Sequence, residues 1–277
     1  MLETNEQIRL VVSADDFGKN PSTNAAVLKA HREGILTTAG LMVNEEGAKE
    51  AVRIARENPR LGIGLHLVLL FDKPALPASS IPDLIDTDGK LKKNAVGSGF
   101  NCYFKKRLKS QLEAEVRAQI AKFKETGLNL DHINGHLHFH LHPVVFKIIL
   151  ENAQNWGVKA IRLMREPLFL NLKIAKGRYF MRIVEAVTFK LLSSWCENKL
   201  RQKGIKFTDR VFGLLQNRKV DFEYLKKLLK LLPNGVSEIY SHPSVDEFPG
   251  ELDALVNPEI RKIVCERRIK LIRYKEI

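Results

Sequence analysis

The stretch Ile8-Arg-Leu-Val-Val-Ser-Ala-Asp-Asp-Phe-Gly18 places two adjacent carboxylates behind a short apolar run that is rich in β-branched residues. Such a run predicts a buried β-strand, with Asp15 and Asp16 at its carboxyl end. Two neighbouring carboxylates are costly to remove from water unless a positive group lies beside them. The first strand is therefore predicted to deliver acidic side chains to a site.

Strand-like and helix-like segments alternate along the rest of the chain. The predicted strands are 8–13, 37–43, 63–68, 130–135, 159–163, 210–215, 236–241 and 269–274. Helices are predicted over 20–33, 45–57 and 108–126, with a long loop over about 70–106. Strands interleaved with helices favour a parallel α/β architecture. We expect one (β/α) barrel-like domain over residues 1–277, irregular or seven-stranded, rather than an open doubly wound sheet.

Polar residues stand where most of the predicted strands end. They are Asp15, Asp16, Asn44, His66, His136, Arg162 and His242. In (β/α) barrels the active site is built at the carboxyl ends of the strands, from residues far apart in sequence. The pattern therefore predicts that these side chains converge on one rim of the barrel.

A dense histidine cluster follows the fourth predicted strand. Five of the eight histidines fall within Asp131-His-Ile-Asn-Gly-His-Leu-His-Phe-His-Leu-His142, which indicates metal binding. An extended segment would put His136, His138, His140 and His142 on one face. Some of these would bind a metal, and others would contact substrate, orient a ligand or cap the helix that is predicted to begin at Pro143.

Asp16, His66 and His136 are the candidate metal ligands. Two imidazole nitrogens and one carboxylate leave positions open for water and substrate, which is the pattern of a catalytic metal. Zinc suits this donor set, and magnesium, manganese, nickel and cobalt remain alternatives. Asp15 would then be the general base that activates water.

The remaining candidates have roles other than metal binding. His242, in Tyr240-Ser-His-Pro243, is a candidate general acid because imidazole titrates near neutrality. Arg162 is a candidate for holding a substrate oxygen, for steadying the acidic pair or for a structural salt bridge. Asn44, His138 and His140 are candidate substrate contacts.

The charge is strongly positive and uneven. The net charge is +13, and residues 170–232 hold 15 Lys and Arg against 5 Asp and Glu. Such a block attracts nucleic acid, anionic lipid or an acidic substrate, or it is a solvated face. A predicted basic helical insertion of about 168–207 overlaps this block. Its apolar residues recur at helical spacing, and core packing is favoured over a membrane surface for them. They are Phe180, Ile183, Val184, Val187, Leu191, Leu192 and Trp195.

Several features bear on the compartment. The three cysteines, Cys102, Cys196 and Cys265, are odd in number and far apart, which suits a reducing environment. Residues 1–9 are polar and do not resemble a signal peptide, and no apolar stretch approaches the roughly 20 residues of a membrane span. We therefore expect a cytoplasmic protein.

Four motifs together resemble the YdjC-like carbohydrate deacetylases. They are Val11–Gly18, Gly64–His66, His132–His142 and Ser241–Pro243. They occur in the right order and span residues 8 to about 243. The resemblance implies a (β/α) barrel-like fold, a divalent metal and removal of acetyl groups from N-acetylglucosamine-containing compounds. It matches Asp16, His66 and His136 to the metal ligands, Asp15 to the general base and His242 to an acid.

One position departs from part of that family. Asn134 stands where relatives that act on chitooligosaccharides often carry Asp, which argues against that substrate. The form of residues 132–143 is similar to the branch associated with hopanoid biosynthesis, and it implies an N-acetylglucosaminyl hopanoid lipid as substrate, with peripheral membrane contact. Two rival functions remain: another metal-dependent hydrolysis of a glycoside or phosphoester, and basic nucleic-acid binding. The histidine–aspartate constellation argues against the second.

Overall fold

Seven parallel strands form the centre of the described part of the molecule. The computed structural model describes residues 7–93, 106–216 and 218–277. Within these ranges the strands are β1 Ile8–Phe17, β2 Thr38–Leu41, β3 Gly62–Leu67, β4 Leu130–Gly135, β5 Arg210–Phe212, β6 Gly235–Ser241 and β7 Lys270–Leu271. β1, β3 and β6 are buried almost throughout, as is typical of central strands in a parallel sheet, so the polar residues that they carry lie inside the protein.

The strands form one sheet in the order β4-β3-β2-β1-β6-β5. Every pairing in it is parallel, and β7 pairs with the first half of β1 through Arg9 and Lys270. Because all these strands run in one direction, their carboxyl ends meet at the same edge of the sheet. That edge receives the polar residues that follow the strands.

Residues 159–163 were predicted as a strand, and this prediction is wrong. The segment does lie beside β4, where the N–H of Ile133 donates to the carbonyl of Ala160 at 3.0 Å. Its other neighbour is Lys206, and only isolated bridges form on either side. The ladder stays short because Lys206 belongs to the connection before β5, not to a strand. The segment nevertheless curls the sheet towards closure, and the predicted barrel-like α/β fold is confirmed.

Helices cover the sheet. They are α1 Pro21–Glu33, α2 Ala48–Glu57, α3 Lys106–Glu125, α4 Pro143–Trp156, α5 Leu168–Ile174, α6 Tyr179–Gln202, α7 Phe222–Leu231, α8 Pro249–Val256 and α9 Pro258–Glu266. Asn20 caps α1 by accepting a hydrogen bond from the N–H of Thr23 at 2.9 Å. α4 begins at Pro143, as predicted.

The predicted loop over about 70–106 is described as far as residue 93. The carboxylate of Glu115 on α3 anchors it by accepting hydrogen bonds from the N–H groups of Ala75 at 2.7 Å and Leu76 at 3.0 Å. Residues 94–105 of this loop, with Cys102, lie outside the described residues.

α5 and α6 form the predicted basic insertion, but α6 does not bury its apolar residues as expected. Phe180, Ile183, Val184, Val187, Leu191 and Trp195 are all exposed, and Leu192 is partly buried. The packed side of α6 is a different one, on which Arg182, Ser193, Cys196 and Leu200 are buried. The prediction of core packing for these residues is therefore wrong, except at Leu192. Nowhere in the described ranges is a helix both long and apolar enough to cross a bilayer.

Candidate active site

The acidic pair lies at the carboxyl end of β1, as predicted. Asp15 and Asp16 are almost completely buried. Asp16 has φ 62°, in the left-handed region that residues other than glycine rarely adopt. Backbone strain of this kind concentrates at functional sites. The end of β1 is therefore a strained turn that presents two carboxylates.

The three candidate metal ligands converge. Asp16 Oδ1 lies 3.3 Å from His66 Nε2 and 3.4 Å from His136 Nδ1. One ligand atom from each residue lies within 4.8 Å of the other two. Burial alone raises the pKa of Asp16, but the two histidine rings outweigh it and hold the pKa well below its usual range. An ionised carboxylate thus faces two imidazoles.

The donor set fits a divalent ion. His66 Nε2 is buried and makes no hydrogen bond within the described part of the chain, although it points at the carboxylate. A buried nitrogen without a partner is costly unless another group satisfies it. Two imidazoles and one carboxylate from different strand ends match an open catalytic site and suit zinc best.

Asn134 connects the metal ligands to the second aspartate. Its Oδ1 lies 3.1 Å from His66 Nδ1, and its Nδ2 donates to Asp15 Oδ1 at 2.8 Å. The His66 proton is therefore fixed on Nδ1, which turns Nε2 towards Asp16. Gly40 makes room for the amide, because a Cβ there would lie 2.8 Å from Asn134 Oδ1. The sequence showed Asn134 only as a departure from relatives, without this role.

Arg162 binds both carboxylate oxygens of Asp15. It is fully buried and donates to Asp15 Oδ2 at 2.7 Å from Nη1 and to Oδ1 at 2.9 Å from Nη2. Burial would raise the pKa of Asp15, but the charge of Arg162 outweighs it and lowers that pKa far below its usual value. Of the roles considered for Arg162, steadying the acidic pair fits these contacts best.

Two further residues complete this network and were missed from sequence. Glu238 on β6 accepts hydrogen bonds from Arg162 at 2.9 and 2.7 Å, and the hydroxyl of Tyr274 donates to its other oxygen. All three side chains are buried. A glutamate in the middle of the apolar run of β6 was the available signal, because a buried charge requires a partner.

The histidine segment is not extended, so the prediction of four histidines on one face is wrong. His136–Leu141 forms a short 3₁₀ turn in which Leu137 and His138 have left-handed φ of 50° and 58°. His138 Nε2 lies 3.0 Å from the hydroxyl of Tyr240, and His140 Nε2 donates to the carbonyl of Arg162 at 3.0 Å. Burial lowers the pKa of His140 to about 3, so its ring is neutral.

A cavity of about 200 Å³ opens beside this turn. Its lining includes Asp15, His66, His136, His138, Tyr240 and His242. His242 follows β6, and its Nδ1 lies 3.9 Å from Glu251 Oε2. Asn44 lies apart from this group and donates to the carbonyl of Lys73 at 3.2 Å. Five of the predicted site residues thus line this cavity: Asp15, His66, His136, His138 and His242. Asp16 contacts two of them, whereas Asn44, His140 and Arg162 are outside the lining.

The arrangement can bind a divalent cation beside an ionised carboxylate and a histidine. The carboxylate is held by Arg162 and Asn134, and the histidine follows β6, the strand that pairs with β1. A metal ion, a base and an acid around one cavity are the components of metal-assisted hydrolysis. The fold and the site together indicate a barrel-like hydrolase in which three side chains are placed to hold a metal ion.

Comparison with known proteins identifies the family. The model of the YdjC-like protein family matches residues 9–266, so the chain belongs to the YdjC-like family, as its motifs predicted. A carbohydrate deacetylase of Geobacillus stearothermophilus is 33% identical over 96% of each chain. One from Clostridium beijerinckii is 27% identical over 98% of this chain and 100% of that protein. A third, from Brevibacillus brevis, is 38% identical over 54% of this chain and 58% of that protein.

Solved structures share the fold. A protein of Enterococcus faecalis V583, described in terms of cellobiose-phosphate cleavage, superposes with a TM-score of 0.76 over 98% of both chains at 22% identity. The lactam utilization protein of Thermus thermophilus superposes with a TM-score of 0.50 over 95% of this chain and 99% of that one, at 14% identity. Both likenesses concern the fold.

Proposed function

We propose that this protein is a metal-dependent carbohydrate deacetylase that removes the acetyl group from an N-acetylated amino sugar. The observation that carries the proposal is the approach of Asp16, His66 and His136 to one another beside the ionised Asp15. The carbohydrate deacetylases among its relatives support the reaction type.

Asp16, His66 and His136 would hold a divalent ion, which would supply Lewis-acid polarisation of the amide carbonyl and a lowered pKa of water. Zinc is our first choice because of the two imidazoles, with magnesium as the alternative. Asn134 orients His66 for this role, since its amide fixes the proton on Nδ1.

Asp15 acts as the general base. Its carboxylate accepts a proton from the attacking water while that water adds to the acetyl carbon. Arg162 and Asn134 hold both carboxylate oxygens in place, so the base is oriented before the substrate arrives. Arg162 keeps the carboxylate of Asp15 ionised, and only the ionised form can accept a proton.

His242 acts as the general acid. It donates a proton to the amide nitrogen as the carbon–nitrogen bond breaks, so that acetate and a free amine leave. Its position in the cavity lining, near the carboxylate of Glu251, supports this role. His138, whose ring is held by Tyr240, is placed to contact the sugar. Arg162 supports the reaction through Asp15, and Asn44 and His140 remain candidate substrate contacts.

For the substrate we propose a lipid-linked sugar, with an N-acetylglucosaminyl hopanoid as the specific candidate. Support comes from the form of residues 132–143 and from Asn134, which differs from the Asp of chitooligosaccharide-specific relatives. Such a substrate requires the enzyme to work at a membrane surface, and the cysteine usage favours the cytoplasmic side. The described cysteines, Cys196 and Cys265, are both free.

The test is acetate release by metal-stripped protein that is resupplied with single divalent ions. Substrates are N-acetylglucosamine, chitobiose and an N-acetylglucosaminyl lipid. Metal-dependent acetate from the lipid alone supports both the reaction and the substrate, whereas acetate from the soluble sugars supports the reaction only. Release of a free sugar or of phosphate without acetate would replace the proposal by a glycosidase or phosphoesterase. Salt-dependent nucleic-acid binding without hydrolysis would replace it by the non-enzymatic rival.

A further inference from the structure

An exposed apolar stripe runs along α6. Its large side chains recur every three or four residues and face solvent, and we call them the α6 stripe: Phe180, Val184, Val187, Leu191 and Trp195. Phe180 is 76% exposed and Leu191 is 68% exposed. The buried residues of the same helix include Cys196 and Leu200, which helical periodicity places on the opposite side. The stripe therefore faces away from the core, except at its end, where the ring of Trp195 also contacts the buried ring of Phe146 with centroids 5.5 Å apart.

Contiguous apolar surface of this kind is unusual in a protein that stands alone in water. Scattered exposed apolar residues need no explanation, but a continuous patch marks a protein or membrane contact. Phe169 on the neighbouring α5 is 83% exposed and extends the apolar surface beyond α6. The stripe is therefore a candidate contact surface for a partner.

Basic side chains surround the stripe. The exposed ones are Lys173, Lys176, Arg178, Lys190, Arg201 and Lys203. Two of these six are paired with the acidic residues of α6, because Arg178 pairs with Glu185 at 3.2 Å and Arg201 pairs with Glu197 at 2.8 Å. The positive excess around the stripe therefore comes from the four lysines. A second copy of this chain would bring a like-charged rim against this one. An anionic surface is the complementary partner.

We propose that the α6 stripe docks the protein onto an anionic phospholipid bilayer. The apolar side chains enter the boundary between headgroups and acyl chains, and the flanking lysines and arginines contact the headgroup phosphates. An amphipathic helix with a basic rim lies in the plane of the interface and does not cross it, which agrees with the lack of a membrane-spanning helix in the described ranges.

The packed side of the same helix forms part of the catalytic cavity. Glu185 and Phe189 line that cavity, and the ring of Phe189 meets the ring of His138 edge to face, with centroids 5.4 Å apart. Docking through the outer side of α6 therefore holds the cavity one helix diameter, roughly 10–12 Å, from the membrane surface. A sugar carried by a membrane lipid is presented at that surface, so the purpose of the docking surface rests on the proposed function.

Binding of the full chain to vesicles tests the docking surface. Vesicles of equimolar phosphatidylglycerol and phosphatidylcholine should bind the protein, and pure phosphatidylcholine should bind it at least tenfold more weakly. Phe180→Ser combined with Leu191→Ser should weaken binding at least tenfold, and Lys190→Glu about tenfold. Leu231→Ser is the matched control, because Leu231 on α7 is also an exposed leucine, 50% accessible against 68% for Leu191. Equal binding by Leu191→Ser and Leu231→Ser would overturn the proposal.

Trp195 offers a direct readout of insertion. In a Trp156→Phe background it is the only tryptophan, since the chain has two. Its fluorescence should shift to the blue on anionic vesicles and be quenched by lipids brominated near the headgroup. An unchanged spectrum on bound vesicles would show that another surface carries the contact. A concentration-dependent dimer that Leu191→Ser disrupts would assign the stripe to a second copy instead.

Failure of the docking surface and failure of the proposed reaction give different results. Leu191 lies outside the catalytic cavity, so Leu191→Ser should release acetate from a soluble acetylated sugar at the rate of the unmodified protein. It should lose activity only on lipid-borne substrate in vesicles. Vesicle binding without acetate release from any substrate would retain the docking surface and refute the reaction.

Discussion

The guanidinium of Arg162 and the carboxylate of Asp15 form two parallel hydrogen bonds, 2.7 Å and 2.9 Å long, in the interior of the barrel. The pair fixes both the charge and the orientation of Asp15. Since Arg162 also bonds to Glu238 and Ser13, its donors are directed at the protein interior. It therefore acts on a substrate through Asp15 and not by its own contact.

Asp15→Asn should abolish most turnover while the protein still binds metal. The amide keeps the shape of the side chain but accepts no proton from water, so the rate should fall by about 10²–10⁴-fold. Acetate release and metal content per chain are measured on the same preparation. A near-normal rate would remove Asp15 from the role of base, and loss of metal would assign it to the ligand set.

Arg162→Met should strongly destabilise the fold. It leaves the carboxylates of Asp15 and Glu238 buried without their partner, a change that costs about 3–5 kcal/mol in comparable cases. The free energy of unfolding in urea measures the effect.

The matched control is Arg165→Met. Arg165 pairs with Glu197 at 3.2 Å, but its side chain is 36% exposed, so its loss should cost less than about 1 kcal/mol. Similar urea midpoints for the two variants would contradict the importance of the buried network.

His136→Ala should lose bound metal. Losing a residue that only hydrogen-bonds to a metal ligand typically weakens metal affinity 10- to 100-fold. Losing one of the three ligands themselves should cost more, so we expect a loss of more than about 100-fold. Elemental analysis after dialysis measures the metal per chain. His138→Ala is the control, because His138 belongs to the same turn but bonds to Tyr240. Full metal occupancy in His136→Ala, or equal loss in both variants, would exclude His136 from the ligand set.

The sequence predicted the rim of the site well because the signal there is local. Asp15, His66 and His242 are polar residues at the ends of apolar strands, and parallel topology brings such ends together. Tyr274 carried no comparable signal, because it meets Glu238 only after the last segment of the chain returns to pair with β1. Contacts between residues so far apart in sequence depend on the completed fold and cannot be predicted from a local sequence pattern.

The errors have similar causes. The segment 159–163 has the composition of a strand, but strand formation depends on partners, and Lys206 lies in a connection. The alternation from His136 to His142 predicted an extended chain, yet left-handed backbone at Leu137 and His138 cannot be anticipated for residues other than glycine. For α6, periodicity identified the apolar face but not whether the core covers it.

Gly64→Ala should destabilise the fold even though it adds only one carbon. A Cβ at Gly64 would lie 2.4–2.6 Å from ring atoms of His132. That ring is buried and stacks on Tyr274 with centroids 4.4 Å apart, so it has little room to yield. Overpacking of this kind costs about 1–3 kcal/mol. Gly250→Ala is the control, because a Cβ there meets no atom within 4 Å among the described residues. Equal urea midpoints would show that the strand accommodates the methyl group.

Glu166 should make stability depend on pH near neutrality. Burial raises the pKa of its carboxyl from 4.5 to about 7, although the N–H of Leu215 and the amide of Asn171 donate to it. Between about pH 4.5 and pH 7 the folded protein therefore keeps the proton of Glu166, whereas the unfolded chain has released it. Its contribution to stability is present below about pH 4.5 and is lost as the pH rises through about 7. Glu166→Gln cannot titrate, so its free energy of unfolding should fall less between pH 5 and pH 8 than that of the unmodified protein, by about 1 kcal/mol or more. Urea unfolding of both proteins at several pH values measures the difference, and parallel pH profiles would contradict the raised pKa.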